Sequence, residues 1–246
     1  MFRRILLVMA LVMLATPADA AEKTGFLEKS FKNADGSESP YIVFVPADYD
    51  GTKELPVILF LHGAGETKGG SKMPADQGIG THIKKVAKTF PFLTIIPQAE
   101  DLKTPVVKRW QSGSPDADRA LKMLEATMKE YKSDSKRVYL TGLSMGGFGT
   151  WSLAAAHPEK WAAIVPICGG GNLKDAEKIK DVPTWCFHGD KDTAVKVELS
   201  RTMIDAITKS GGKPKYTEYP GVGHNSWDEA YATEELYTWM LSHKSK

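Results

Sequence analysis

The sequence predicts an α/β fold built on a mostly parallel sheet with helices on both faces. Three observations carry the expectation. From residue 56 onward short apolar runs alternate with helix-forming stretches, the rhythm of strands joined by crossover helices. Ahead of them, two strand-like runs flank a polar turn and read as an antiparallel hairpin. No internal repeat, low-complexity tract or linker divides the 246 residues, a length that suits one sizeable core.

The opening MFRRILLVMALVMLATPADA joins two arginines to an apolar run, Ile5 to Ala15, that is too short to span a bilayer. Ala18-Asp19-Ala20 then offers small residues at the spacing a signal peptidase accepts. Residues 1–20 are therefore expected to be a signal peptide, and residues 21–246 a single catalytic domain, secreted or periplasmic, with no stable membrane span.

The hairpin comes next, FLEKSFK and YIVFVP joined by NADGSES. The later strand candidates are VILFLHG, LTIIPQ, RVYLTG, AAIVPIC, PTWCFHG and PKYTEYP, with helices expected at about 81–89, 116–132, 146–157, 196–210 and 229–241. The second helix has the clearest signals. Ser114 can cap it, Pro115 suits its first turn, and Ala117, Leu121, Leu124, Met128 and Tyr131 share a face. The glycine-rich segment 66–80 is either a surface loop or part of a substrate site.

Chemistry gathers at the join of one strand and one helix, in VYLTGLSMGGFGTW (138–151). Gly142-Leu143-Ser144-Met145-Gly146 is a G-x-S-x-G turn. A serine on so tight a bend brings the flanking backbone too close for side chains, and glycine avoids the clash. The helix start beyond it supplies unpaired N–H groups, Met145 first, that can stabilise a developing oxyanion. A serine hydroxyl needs a base, and a nucleophile of this type expects an acid and then a histidine later in the chain.

FHGDKDTAV and GVGHNSWDEAY each follow a strand candidate and place an acid and a histidine at successive strand ends. His224, in a glycine-rich loop, is the base candidate. Asp192, farther into its loop than Asp190, is the preferred acid, with Asp190 placed to bond local N–H groups. A second oxyanion donor is expected from FLHGAGET, at Ala64 or Gly65. His62 and His188 each precede a glycine at a strand end and are expected to hold loops. Trp227 and Trp110 are candidate faces for an aryl or sugar group.

The composition excludes other classes. A formal charge of +2 with both signs interspersed gives no electrostatic reason for nucleic acid as a partner. Cys168 and Cys186 sit in apolar runs, and two cysteines are too few for a disulfide scaffold, so buried free thiols are expected. No group of histidines, cysteines and carboxylates has metal-ligand spacing, and the chemistry above needs no cofactor.

With FLHGAGE, FPFLTIIPQ, RVYLTGLSMGGFGTWSLAAAHPEKWAAIVPICGGG, WCFHGDKD and YTEYPGVGHNSWDEAY in view, most of residues 40–240 resembles the α/β-hydrolase superfamily. More narrowly it is similar to secreted prolyl-oligopeptidase-like, phospholipase/carboxylesterase-type serine hydrolases related to polyhydroxybutyrate depolymerases and feruloyl esterases. The resemblance implies a Ser144, Asp192 and His224 triad acting on a small-molecule or polymer-linked carboxylic ester. A peptidase or amidase using the same residues, or a non-catalytic carbohydrate-binding protein on the same fold, are the alternatives.

Overall fold

The computed structural model describes residues 24–246, and the signal-peptide expectation for residues 1–20 lies outside them. The strands are β1 (Gly25–Lys32), β2 (Glu38–Val45), β3 (Leu55–Leu61), β4 (Leu93–Pro97), β5 (Ser133–Leu143), β6 (Ala163–Ile167), β7 (Trp185–Gly189) and β8 (Lys215–Tyr219). The helices are α1 (Ile79–Val86), α2 (Pro115–Glu130), α3 (Met145–Ala156), α4 (Ala176–Ile179), α5 (Glu198–Lys209), α6 (Trp227–Ala232) and α7 (Glu234–Leu241).

The strands make one sheet in the order β1-β2-β4-β3-β5-β6-β7-β8. β1 pairs antiparallel with β2 from Gly25↔Val45 to Lys32↔Glu38, and β2 is antiparallel to β4. From β4 to β8 every neighbouring pair is parallel. The burial follows from this. The edge strand β1 alternates half-buried and exposed residues, whereas β3, β4, β6 and β7 are buried at every position, as strands covered on both faces must be.

Alternation along β3 divides the core in two. Val57, Leu59 and Leu61 face a layer that includes Met123 of α2, Trp151 of α3 and Met203 of α5. Ile58 and Phe60 face Ile83 of α1, Tyr231 of α6 and Met240 of α7. Each such side chain contributes about 1.5–3 kcal/mol by leaving water. Cys186 belongs to the first layer and Cys168 to the second, so the two thiols are free, buried and on opposite faces of the sheet.

α2 forms as its signals predict. The Ser114 hydroxyl accepts from Ala117 N–H at 3.2 Å, Pro115 opens the helix, and Ala117, Ala120, Met123 and Leu124 are buried, with Leu121 and Met128 at the edge of the stripe. One expectation needs correction, and one element was not foreseen. Residues 229–241 are two helices, because Thr233 leaves the helical region at φ −74 and ψ 105 while its N–H closes α6 on Ala230 O. The short α4 carried no periodicity long enough to read.

Because β3, β5, β6, β7 and β8 run parallel, their carboxyl ends share one edge. Gly63, Ser144, Cys168, Asp192 and His224 all lie on or just beyond those ends. Among the described residues no helix is long and apolar enough to cross a membrane.

Candidate active site

Ser144 stands between β5 and α3 with φ 52 and ψ −115. A non-glycine residue held there costs of order 1–3 kcal/mol, so its surroundings must enforce it. Ser144 N–H donates to Ile167 O at 3.0 Å, and Phe148 N–H donates to Ser144 O at 3.1 Å. The flanking glycines answer to crowding: a methyl on Gly142 would stand 2.5 Å from Gly146 O, and one on Gly146 only 1.9 Å from Leu61 O. Any larger residue at either position would push α3 away from the sheet.

Met145 is the first residue of α3, so its N–H has no intrahelical acceptor. Ala64–Glu66 form a 3-10 turn directly after β3, with Ala64 and Gly65 supplying its first two N–H groups. This turn adjoins the serine: a methyl on Gly63 would come within 3.8 Å of Ser144 Cβ.

The structure brings the three predicted side chains into one line. His224, on the β8–α6 connection, places Nε2 2.9 Å from Ser144 Oγ and Nδ1 2.6 Å from Asp192 Oδ2. An ionised carboxylate only accepts, so Nδ1 carries the proton and Nε2 is left to receive the one on Ser144. The Asp192 side chain is fully buried, while that of His224 is 27% exposed; the carboxylate is shielded and the imidazole open to an incoming group.

Burial opposes a charge on Asp192. The His224 hydrogen bond and the N–H groups of Val195 and Ala194, each 2.9 Å from Oδ1, together outweigh it and hold the carboxyl below the usual range. Asp190 bonds elsewhere, its Oδ1 accepting from Gly221 N–H at 2.7 Å.

The two tryptophans separate. Trp227 opens α6 with its ring edge-on to His224, centroids 5.3 Å apart, and its buried indole N–H has no partner. Trp110 is a correction: it is wholly buried, its indole N–H donates to His62 O at 3.0 Å, and it packs edge-on against the His62 ring, so it has no face to offer a ligand.

His62 holds its loop. Ala99 N–H donates to Nε2 at 3.0 Å, so Nδ1 carries the hydrogen, 2.6 Å from Gly63 O. Burial depresses its protonation to about 4. Glu66, four residues on, is buried with Oε2 unpartnered.

Cys168, Asp192 and His224 have potential ligand atoms within 4.8 Å of one another. A metal would need the thiolate, and burial pushes the Cys168 thiol far up, while Asp192 and His224 are already bonded to each other. The donor set does not suit a resident ion.

A model of the family described as "Dienelactone hydrolase family" matches residues 38–235. The chain belongs to the dienelactone hydrolase family. It is 28% identical over 170 residues to the bifunctional acetylxylan esterase/xylanase XynS20E of Neocallimastix patriciarum, a match that takes in 68% of this chain and 23% of that protein. It is 27% identical to poly(3-hydroxyalkanoate) depolymerase C of Paucimonas lemoignei over 68% of this chain and 40% of that one. The chain thus spans well under half the length of these relatives. A solved thermostable esterase superposes with a TM-score of 0.73 at 33% identity, over 89% of this chain and 63% of that one. The α/β-hydrolase fold expected from the motifs is the fold of this family member.

The strand-end position of His188 predicts only loop support. The structure sets it against Asp192 itself, 3.1 Å from Nε2 to Oδ2. The available signal was its position at a strand end, four residues before the acid.

Proposed function

We propose that this protein is a secreted serine hydrolase that cleaves carboxylic esters through an acyl-enzyme. One observation carries the reading: the unbroken hydrogen-bonded line from Ser144 Oγ through His224 to a buried, ionised Asp192, beside a helix start and a 3-10 turn whose first N–H groups have no intrahelical acceptor. Ser144 Oγ attacks the ester carbonyl as its proton passes to His224 Nε2, and Asp192 stabilises the resulting imidazolium. Met145 N–H, with that of Ala64 or Gly65, stabilises the oxyanion. His224 then protonates the departing alcohol. Water enters and adds to the acyl carbon as it gives a proton to His224, and the acyl–Oγ bond then breaks as His224 passes that proton to Ser144 Oγ, releasing the acid and the free serine.

The esterase names carried by relatives favour ester over amide, and the leader-like first twenty residues support export. Trp227 is the candidate face for the acyl or alcohol group, which is a small molecule or part of a polymer. The test is labelling with a fluorophosphonate and turnover of matched chromogenic ester and amide substrates. The expected adduct is on Ser144, and Ser144→Ala lowers ester turnover by at least about 10⁴-fold without unfolding the chain. Labelling at another residue, or retained turnover, would overturn the assignment. Faster amide cleavage would convert it to the peptidase reading.

A further inference from the structure

Asp192 is shared by two histidines. Besides His224, its Oδ2 lies 3.1 Å from Nε2 of His188, near the end of β7, and neither side chain of that pair has any exposed surface. The neighbours of His188 settle where its proton sits. Nε2 is 2.9 Å from Val195 O, a carbonyl oxygen that can only accept, so Nε2 carries a hydrogen and shares it between that carbonyl and the carboxylate. Nδ1 is 2.7 Å from Ser200 Oγ on α5, and Ser200 Oγ is also 3.1 Å from Gly169 O. In the neutral ring, which burial favours, Nδ1 is an acceptor, and the single Ser200 hydroxyl hydrogen is shared between it and Gly169 O.

This arrangement solves a mechanical problem. Backbone N–H groups fix Oδ1 of Asp192, but Oδ2 is the atom that orients the base. If His224 were its sole donor, that oxygen would be held only by the group it has to hold. A fixed donor on a strand core removes that circularity, and Ser200, anchored on α5, keeps the donor ring from turning over.

We propose that His188 is a positioning residue for the acid of the triad: its shared Nε2–H pins Oδ2 of Asp192 so that the carboxylate meets His224 in one orientation throughout turnover. The inference rests on the esterase reading above. The other titratable groups facing the pair are His224 from the β8–α6 connection, the Cys168 thiol beyond β6, and Glu218 on β8, itself tied to Arg201 and Tyr216.

The test compares His188→Leu with His188→Gln, whose side-chain N–H can reach the same acceptor. Leucine is expected to lower kcat by about 10- to 100-fold, the usual cost of losing an orienting hydrogen bond behind a functional group, with KM changed by no more than about 3-fold. The acid limb of its kcat/KM profile should move to higher pH, because a carboxylate with one donor fewer binds a protonated imidazole more tightly. Glutamine should restore most of the loss.

A folded His188→Leu with wild-type kcat and profile would overturn the proposal, as would a glutamine variant no better than the leucine one. Should leucine prevent folding, ¹⁵N spectra of imidazole-labelled wild type give the answer without turnover. A His188 bearing its proton on Nε2 with Nδ1 bare at neutral pH supports the proposal, and the opposite tautomer sinks it. Because that measurement needs no substrate, failure of this inference and failure of the esterase reading are separate results.

Discussion

Two strand ends in this molecule carry the same short pattern, His-Gly-x-x-acid. After β3 it is His62-Gly63-Ala64-Gly65-Glu66, and at the end of β7 it is His188-Gly189-Asp190-Lys191-Asp192. In both, the histidine is buried without a charge and the acid is buried four residues later. The acids then diverge. Asp192 collects two backbone N–H groups and two imidazole N–H groups and is held ionised. Glu66 keeps one oxygen unpartnered, 3.9 Å from His62 Nδ1, and burial pushes its carboxyl up. Both carboxylates are buried by the same local pattern; the donors each one meets, the N–H groups of its own loop and, for Asp192, the imidazole arriving from the β8–α6 connection, decide whether it is charged.

The largest expected effect breaks the second pattern at its acid. Asp192→Asn keeps the volume but turns an acceptor of four donors into an amide, which leaves His224 free to adopt the wrong tautomer. A loss of about 10⁴-fold in kcat is expected, with the chain still folded but lower in thermal midpoint because the stabilising carboxylate is gone, measured with the chromogenic ester and by calorimetry. A variant within 10-fold of wild type would remove Asp192 from the chemistry and with it the contrast with Glu66.

The next effect lies in the histidine of the first pattern. The His62 ring protonates at about 4 in the folded protein against an ordinary 6.5, so the unfolded chain takes up the proton first. Stability therefore falls as pH drops from about 6.5 to about 4, by roughly 3 kcal/mol in all, and this contribution is flat below that window. His188, shifted in the same direction, adds to the slope, whereas Asp192, depressed below 3.8, loses its contribution only at lower pH. Glu66 works against His62 over the shared range, so urea midpoints are best followed from pH 7 to 4 in a Glu66→Gln background. A flat line there would mean that His62 can be protonated in place.

The legibility of the molecule follows the same division between local and distant causes. All eight strands could be read because each is a short apolar or alternating run ended by a turn signal, and Ser144 because the glycines at 142 and 146 record a local steric demand. Asp192 and His224 could be selected by chain order and by their strand-end positions. The burial of Trp110 was not readable, since it depends on His62 O, 48 residues away, needing a donor. Nor was the support of His188 by Ser200, which exists only once α5 packs beside β7. The break at Thr233 was hidden because an apolar stripe runs through both α6 and α7.

The smallest effect sharpens the comparison most. Glu66 closes the turn that holds the candidate oxyanion donors, burial outweighs the Gly63 N–H and the Lys72 charge that favour its ionised form, and its raised carboxyl is stabilising only while protonated. The contribution is complete below 4.5 and is lost as pH rises through the folded value, leaving a buried, incompletely paired carboxylate at pH 8. Glu66→Gln removes that charge at constant shape. It is expected to raise stability at pH 8 by about 1 kcal/mol, or about 2–4 °C in midpoint, with the advantage gone below pH 4.5. Ester turnover should stay within about 2-fold of wild type, because the N–H groups of Ala64 and Gly65 belong to the backbone. If the variant instead lost activity on the scale expected for Asp192→Asn, the first pattern would hold a reacting group, as is proposed for the second, and the two strand ends would share a function rather than a motif.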